Sequence, residues 1–116
     1  MARRQLEPFL WALFSAGGVV AALFIPVHLF LWGVAVPVTG ITPPSYAAAL
    51  AAAQHPAARL YLLAICSLPL FHWAHRFRYT LYDGLQVKHL NEIINTFCYG
   101  GAIAGTAAAV YLLWRI

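Results

Sequence analysis

The chain has 116 residues, 63% of them hydrophobic and only 9% charged, against about 45–50% apolar and about 25% charged in a typical soluble domain. No charged side chain occurs between Glu7 and Arg59, so a water-soluble fold would have no surface for that run and an integral membrane protein is implied. The net charge of +4 is spread along the ends of apolar segments and forms no basic patch interleaved with exposed aromatics, so it reports orientation and no nucleic-acid partner is expected.

The opening residues, Met1 to Pro8, carry the basic start of a signal peptide, but the apolar run behind them is too long for one, and no typical cleavage site follows. The first span is predicted from about Phe9 to Val38. At about 1.5 Å per residue it exceeds a ~30 Å hydrocarbon core, so it must tilt or bend, with Pro26 the expected kink. One stripe of this helix holds Trp11, Phe14, Ser15, Gly18 and Ala22: aromatics at one end, small residues deeper. His28 is expected to be a hydrogen-bonded interior residue. Pro37-Val38-Thr39-Gly40-Ile41-Thr42-Pro43-Pro44 is turn chemistry and ends the helix. Ser45 is expected to cap a short alanine-rich helix, Tyr46 to Gln54, which is too short to span and is expected along the membrane surface. His55 is read as a loop residue.

The charge-free stretch between Arg59 and Arg76 is too short to cross the membrane by itself. The second helix must therefore run past both arginines, each guanidinium snorkelling to its own interface, and Pro69 adds a bend. The third span, Ile93 to Trp114, is opened by Asn91-Glu92 and anchored by Trp114-Arg115. It carries Gly101-x-x-x-Gly105-x-x-x-Ala109, a close-packing face that suggests a partner membrane subunit. Cys66 and Cys98 lie inside apolar segments without disulfide or metal spacing and are read as small apolar fillers.

The chain is thus predicted to be an all-α membrane protein: one domain, 1–116, with three transmembrane helices at about 9–38, 57–82 and 92–115. Arg3, Arg4, Arg76, Arg78 and Lys88 would share one side, against Arg59 and Arg115, which puts the N-terminus in the cytoplasm and the C-terminus on the outer face.

At the helical angle of about 100° per residue, His72, His75, Arg76, Tyr79 and Asp83 fall in one stripe, while Arg78 points elsewhere and is read as an orientation charge. Ionisable groups at the edge of a span usually mark a ligand or proton site. The topology sets Trp11 and Phe14 at the same depth as His75 and Arg76. Flat aromatic walls beside an imidazole and a fixed cation suit a quinone ring, whose oxygens accept hydrogen bonds and gather negative charge during reduction.

Glu7-Pro8-Phe9-Leu10-Trp11-Ala12-Leu13-Phe14-Ser15-Ala16-Gly17-Gly18, followed by Pro26, resembles the start of the D subunit of bacterial quinol:fumarate reductase, the smaller of the two hydrophobic membrane anchors in that branch of the complex II superfamily. Leu68-Pro69-Leu70 leading to His75-Arg76 resembles the end of that family's second helix. The resemblance implies a multi-pass subunit of the bacterial cytoplasmic (inner) membrane, itself non-catalytic. Its implied partners are a flavoprotein carrying FAD, an iron–sulfur subunit and a second hydrophobic anchor, set among membrane lipid. It further implies a menaquinone site shared with those partners, through which menaquinol reduces fumarate in anaerobic respiration. Carried over by position, Trp11, Phe14, His75 and Arg76 would bind the quinone, with Ser15 where the family often has glycine; Tyr79 and Asp83 would carry protons away.

Three other readings stand beside this one. In the related succinate dehydrogenase anchors a haem-ligating His stands before an Asp-Tyr pair at the distance that separates His72 from Asp83, although here the pair is Asp83-Gly84; on that alternative His72 would ligate haem b. A small multidrug transporter would need an acidic residue within a span, and Glu7, Asp83 and Glu92 all sit at span ends. A purely structural assembly subunit would leave quinone kinetics untouched when Trp11 or His75 is changed.

Overall fold

In hydrocarbon every backbone N–H and C=O must be bonded within its own segment, so long apolar stretches without interior charge become helices. A computed structural model of the chain describes residues 2–116, with side chains from Leu6 onward; the side chains of the orientation charges Arg3 and Arg4 lie outside the described set. Helix α1 (Ala2–Phe30) passes through Pro26 and opens into a π-helical turn, Leu31–Ala35, before a last α-helical turn, α2 (Val36–Thr39). Pro37 accounts for that turn: its ring crowds the carbonyl of Gly33 and it offers no N–H, so the backbone widens and Val36 N–H bonds the carbonyl of Leu31. A π-helical turn thus lies just ahead of Pro37, while α1 stays α-helical through Pro26. Gly40, at φ 69°, adopts the left-handed conformation that stops the helix.

Ser45 caps α3 (Tyr46–Gln54), its Oγ accepting from Ala48 N–H at 3.2 Å. Helix α4 (Pro56–Gly84) starts at once, and His55 is its cap: the imidazole Nδ1 accepts from Ala57 N–H at 3.2 Å. As expected, α4 continues past both Arg59 and Arg76. A 3-10 turn, Lys88–Leu90, leads into α5 (Asn91–Arg115). Three stretches, Leu6–Thr39, Pro56–Gly84 and Lys88–Arg115, are long and apolar enough to cross a membrane, and the described residues contain no strand.

Helix α4 is the middle of the molecule. It packs against α1 on one side and α5 on the other, and those two make no close contact with each other among the described residues. The result is a flat row, 53 × 30 × 21 Å. Buried Ala74, Ile94, Cys98 and Ala102 form the small core between α4 and α5, flanked by Leu70, Phe77 and Tyr99. Gly105 faces Leu70 of α4, and Gly101 faces Trp73. The small-residue face of α5 thus has a partner within the chain, at least over Gly101 and Gly105, where the sequence suggested another subunit. Short α3 touches both α4 and α5, with Gln54 Nε2 donating to the carbonyl of Ile116 at 2.9 Å. At that end Arg59 lies over the Trp114 ring at 5.9 Å, so its charge is held against an aromatic anchor at the span boundary.

Candidate functional site

The site begins with two glycines. A Cβ on Gly17 would fall 2.1 Å from the Leu68 carbonyl oxygen and 2.8 Å from His72 Cβ; one on Gly18 would meet the His72 ring at 2.9 Å. Only bare backbone lets α1 and α4 meet this closely. With no side chain at Gly18, the carbonyl of Phe14 one turn earlier is open, and His72 Nδ1–H donates to it at 2.8 Å. The same imidazole stacks on the Phe14 ring, 4.3 Å between centroids and 8° between planes. A carbonyl can only accept, so the bond fixes the Nδ1–H tautomer and leaves Nε2 with a lone pair. His72 is a brace between helices.

One turn further along α4, His75 is 3% exposed and boxed by rings: Trp11 at 4.7 Å, Phe14 at 5.1 Å and Tyr79 at 5.2 Å. Trp11 and Phe14 meet edge to face at 5.6 Å, so the aromatic walls hold one another as well as the imidazole. His75 Nδ1 bonds the hydroxyl of Tyr99 on α5 at 2.9 Å, and its Nε2 is buried with no partner among the described residues. Arg76 is exposed beside it; Thr80 donates to the Arg76 carbonyl at 3.1 Å.

An open cleft of about 330 Å³ is lined by Trp11, Phe14, His75, Arg76, Tyr79, Thr80 and Asp83. That is the lower end of the ~300–1,000 Å³ typical of ligand pockets, enough for one ring with its remaining wall supplied from outside the chain. Aromatic faces, a buried imidazole and a free guanidinium around one cleft can hold a flat molecule by its faces and its polar edge. Asp83 is also ion-paired with Lys88 at 3.5 Å, both side chains largely exposed.

The family model for the fumarate reductase D subunit matches residues 1–114. The chain belongs to the fumarate reductase D-subunit family. It is 46% identical over 111 residues to a fumarate reductase D subunit of Mycobacterium tuberculosis, a match covering 96% of this chain and 89% of the relative. A Mycobacterium bovis protein of the same name matches equally. A fumarate reductase D subunit of Shewanella putrefaciens is 34% identical over 116 residues, 98% of this chain and 93% of that one.

In this member of the D-subunit family the structure brings Trp11, Phe14, His75, Arg76, Tyr79 and Asp83 to one cleft. It leaves Ser15 outside: one residue past Phe14, and so about 100° round the helix, Ser15 is exposed. Thr80, which lines the cleft, had only the weak signal of standing one turn after Arg76. Tyr99 and Arg78 carry a stronger signal in the sequence. Asn91, Asn95 and Tyr99 recur every fourth residue on a largely apolar helix, and Arg78 and Tyr82 do the same on the facing one.

Arg78, read as an orientation charge, is half-buried against α5. Its guanidinium lies 4.6 Å from the Tyr79 ring, 5.5 Å from Tyr99 and 5.8 Å from Tyr82, and Nη1 donates to Asn95 Oδ1 at 3.4 Å. His28, as expected, is hydrogen-bonded: Nδ1–H donates to the Phe24 carbonyl at 2.7 Å, and Nε2 accepts from Tyr61 at 3.2 Å. Cys66 and Cys98 are free thiols. No group of three metal-ligating side chains occurs among the described residues.

Proposed function

We propose that this chain is a membrane anchor of a quinol:fumarate reductase, joined by a second anchor, an iron–sulfur subunit and a flavoprotein, and that the Trp11–His75–Arg76 cleft is its share of a quinone site. The observation that carries this reading is the convergence at one cleft of four of the five residues that the family resemblance assigned to quinone binding. Trp11 and Phe14 would flank the quinone ring. Arg76, a fixed cation without a hydrogen-bonding partner among the described residues, would bind one oxygen, where charge changes during oxidation. His75, rigidly boxed and with Nε2 unbonded, would bond the ring's polar edge. Quinol bound there would give two electrons to an iron–sulfur cluster of the partner subunit and two protons to this chain's polar groups.

By the charge count this end of the bundle would lie on the cytoplasmic side, and the family reading makes the membrane a bacterial inner membrane. That is where quinol oxidation would need to reach a soluble iron–sulfur subunit. Replacing Arg76 with Leu in the intact complex should lower quinol-linked fumarate reduction by roughly ten- to a hundredfold, the range for loss of a charge-stabilising donor. Fumarate reduction by a reduced viologen should be unchanged. Normal quinol turnover in Arg76→Leu would sink the assignment.

A further inference from the structure

We propose that His75 and Tyr99 form the proton exit from the quinone site, delivering protons into a second cavity between the cytoplasmic ends of the three helices. This rests on the quinone reading above and adds to it a route and a residue, Tyr99, on a helix that does not line the quinone cleft. The second cavity, of about 420 Å³, is bounded by Tyr99, Asn95, Tyr82 and Asn91, with Arg78 in its wall and the exposed carboxylates Glu7 and Glu92 among its lining. A water takes up about 30 Å³ in the liquid, so several fit.

The two cavities share Tyr79 as a wall, but the Tyr79 hydroxyl makes no hydrogen bond among the described residues. The hydrogen-bonded connection is elsewhere. His75 lines the cleft and reaches the Tyr99 hydroxyl at 2.9 Å, and Tyr99 lines the second cavity. Beyond it the polar groups continue: Asn95 Nδ2 donates to Asn91 Oδ1 at 2.9 Å, and the Tyr82 hydroxyl donates to Asn95 Oδ1 at 3.0 Å and also reaches Asn91. Such a cluster of amides and phenols is costly in an apolar helix pair unless fully bonded, and here it lines the same cavity as Tyr99.

Starting from the Nδ1–H tautomer, His75 Nε2 takes the proton of a quinol hydroxyl, so that O–H breaks and N–H forms. The Nδ1 proton passes to the Tyr99 oxygen as the original Tyr99 O–H proton passes to a water in the second cavity. A phenol both donates and accepts, so Tyr99 ends each transfer unchanged; His75, left with its hydrogen on Nε2, regains the Nδ1–H form by proton exchange with water once the quinone has left. The electrons leave separately, to the iron–sulfur cluster of the partner subunit. Arg78, its guanidinium spread over the Tyr79, Tyr82 and Tyr99 rings, keeps a fixed positive charge beside the route, which disfavours a trapped proton and favours onward passage.

The test is Tyr99→Phe in the intact complex, which removes the hydroxyl and keeps the ring. Quinol-linked fumarate reduction should fall about tenfold or more, the lower range for losing an acid–base group. The quinol KM should hold, the solvent deuterium isotope effect should rise, and viologen-linked fumarate reduction should be unchanged. Turnover within twofold of wild type overturns the relay, and so does a fall accompanied by a raised KM and an unaltered isotope effect, which is the signature of lost positioning. Should Tyr99→Phe fail to assemble, 3-fluorotyrosine at position 99 keeps the ring and hydroxyl but makes the hydroxyl more acidic, and a pH–rate profile and isotope effect unchanged from wild type overturn the relay. Arg76→Leu separates the two levels: if it abolishes quinol turnover while Tyr99→Phe does not, only the relay falls, and if it does not, the quinone site itself is wrong.

Discussion

His72 shows how differently a single residue reads in one dimension and in three. Its distance from Asp83 matched a haem-ligand pattern, while in the fold its contacts are those of packing, with Nδ1–H on the Phe14 carbonyl, one face on the Phe14 ring and one edge over Gly18. Those contacts account for its packing, and the lone pair they leave on Nε2 is the one a haem iron would take, so an absorption spectrum is the deciding measurement. The dithionite-reduced complex is predicted to lack b-type absorption bands; such bands, lost on His72→Ala, would establish haem ligation. The same variant should lower stability by about 1–3 kcal/mol, the sum of a net hydrogen bond and an aromatic pair, measured by denaturant unfolding in detergent. Arg78 is the converse case. Its charge was counted for orientation, and only the fold reveals the three tyrosine rings and the Asn95 amide around it.

Two small-residue contacts hold the helices together, and they differ in what a methyl group would strike. At Gly17 the obstacle is the backbone carbonyl of Leu68, 2.1 Å from the new Cβ, which cannot move without moving α4. At Gly105 it is Leu70 Cδ1, 2.6 Å away, the tip of a side chain that can change rotamer. Gly17→Ala should therefore cost about 1–3 kcal/mol by overpacking, and should also reduce quinol turnover, since separating α1 from α4 pulls Trp11 and Phe14 away from His75. Gly105→Ala should be tolerated within about 1 kcal/mol. Both are read by thermal inactivation of viologen-linked and quinol-linked activity in one preparation; equal effects at the two sites would contradict the packing argument. A glycine's identity was plain in the sequence, but whether it faced backbone, a side chain or another subunit was not.

At the scale of the whole molecule, three helices in a row bury only a few residues, and the first is exposed along much of its length, with Leu23, Val27 and Phe30 uncovered. Such a layer is suited to lipid on some faces and another anchor on others, and the open cleft beside Trp11 and Arg76 calls for a further wall. The charge asymmetry predicts the orientation: alkaline phosphatase fused after Ile116 should be active in the periplasm, and a fusion after Gly84 should be inactive. The reverse pattern would place the cleft on the wrong side for an iron–sulfur subunit.

By itself the sequence determined the membrane class, the three spans, their ends and the helix faces that carry the aromatic and basic residues. These follow from local rules: apolar length, turn chemistry at Gly40 and the prolines, and about 100° per residue. The family, too, was legible in short motifs at Glu7 to Gly18 and at Leu68 to Arg76. Only the tertiary structure decided which helix stands in the middle, that the α5 glycines are used within the chain, that Ser15 turns away, and that His75 reaches Tyr99 on a different helix. Those depend on the relative rotation and depth of neighbouring helices. That register is set by pairwise fits such as His72 over Gly18, which no single helix encodes.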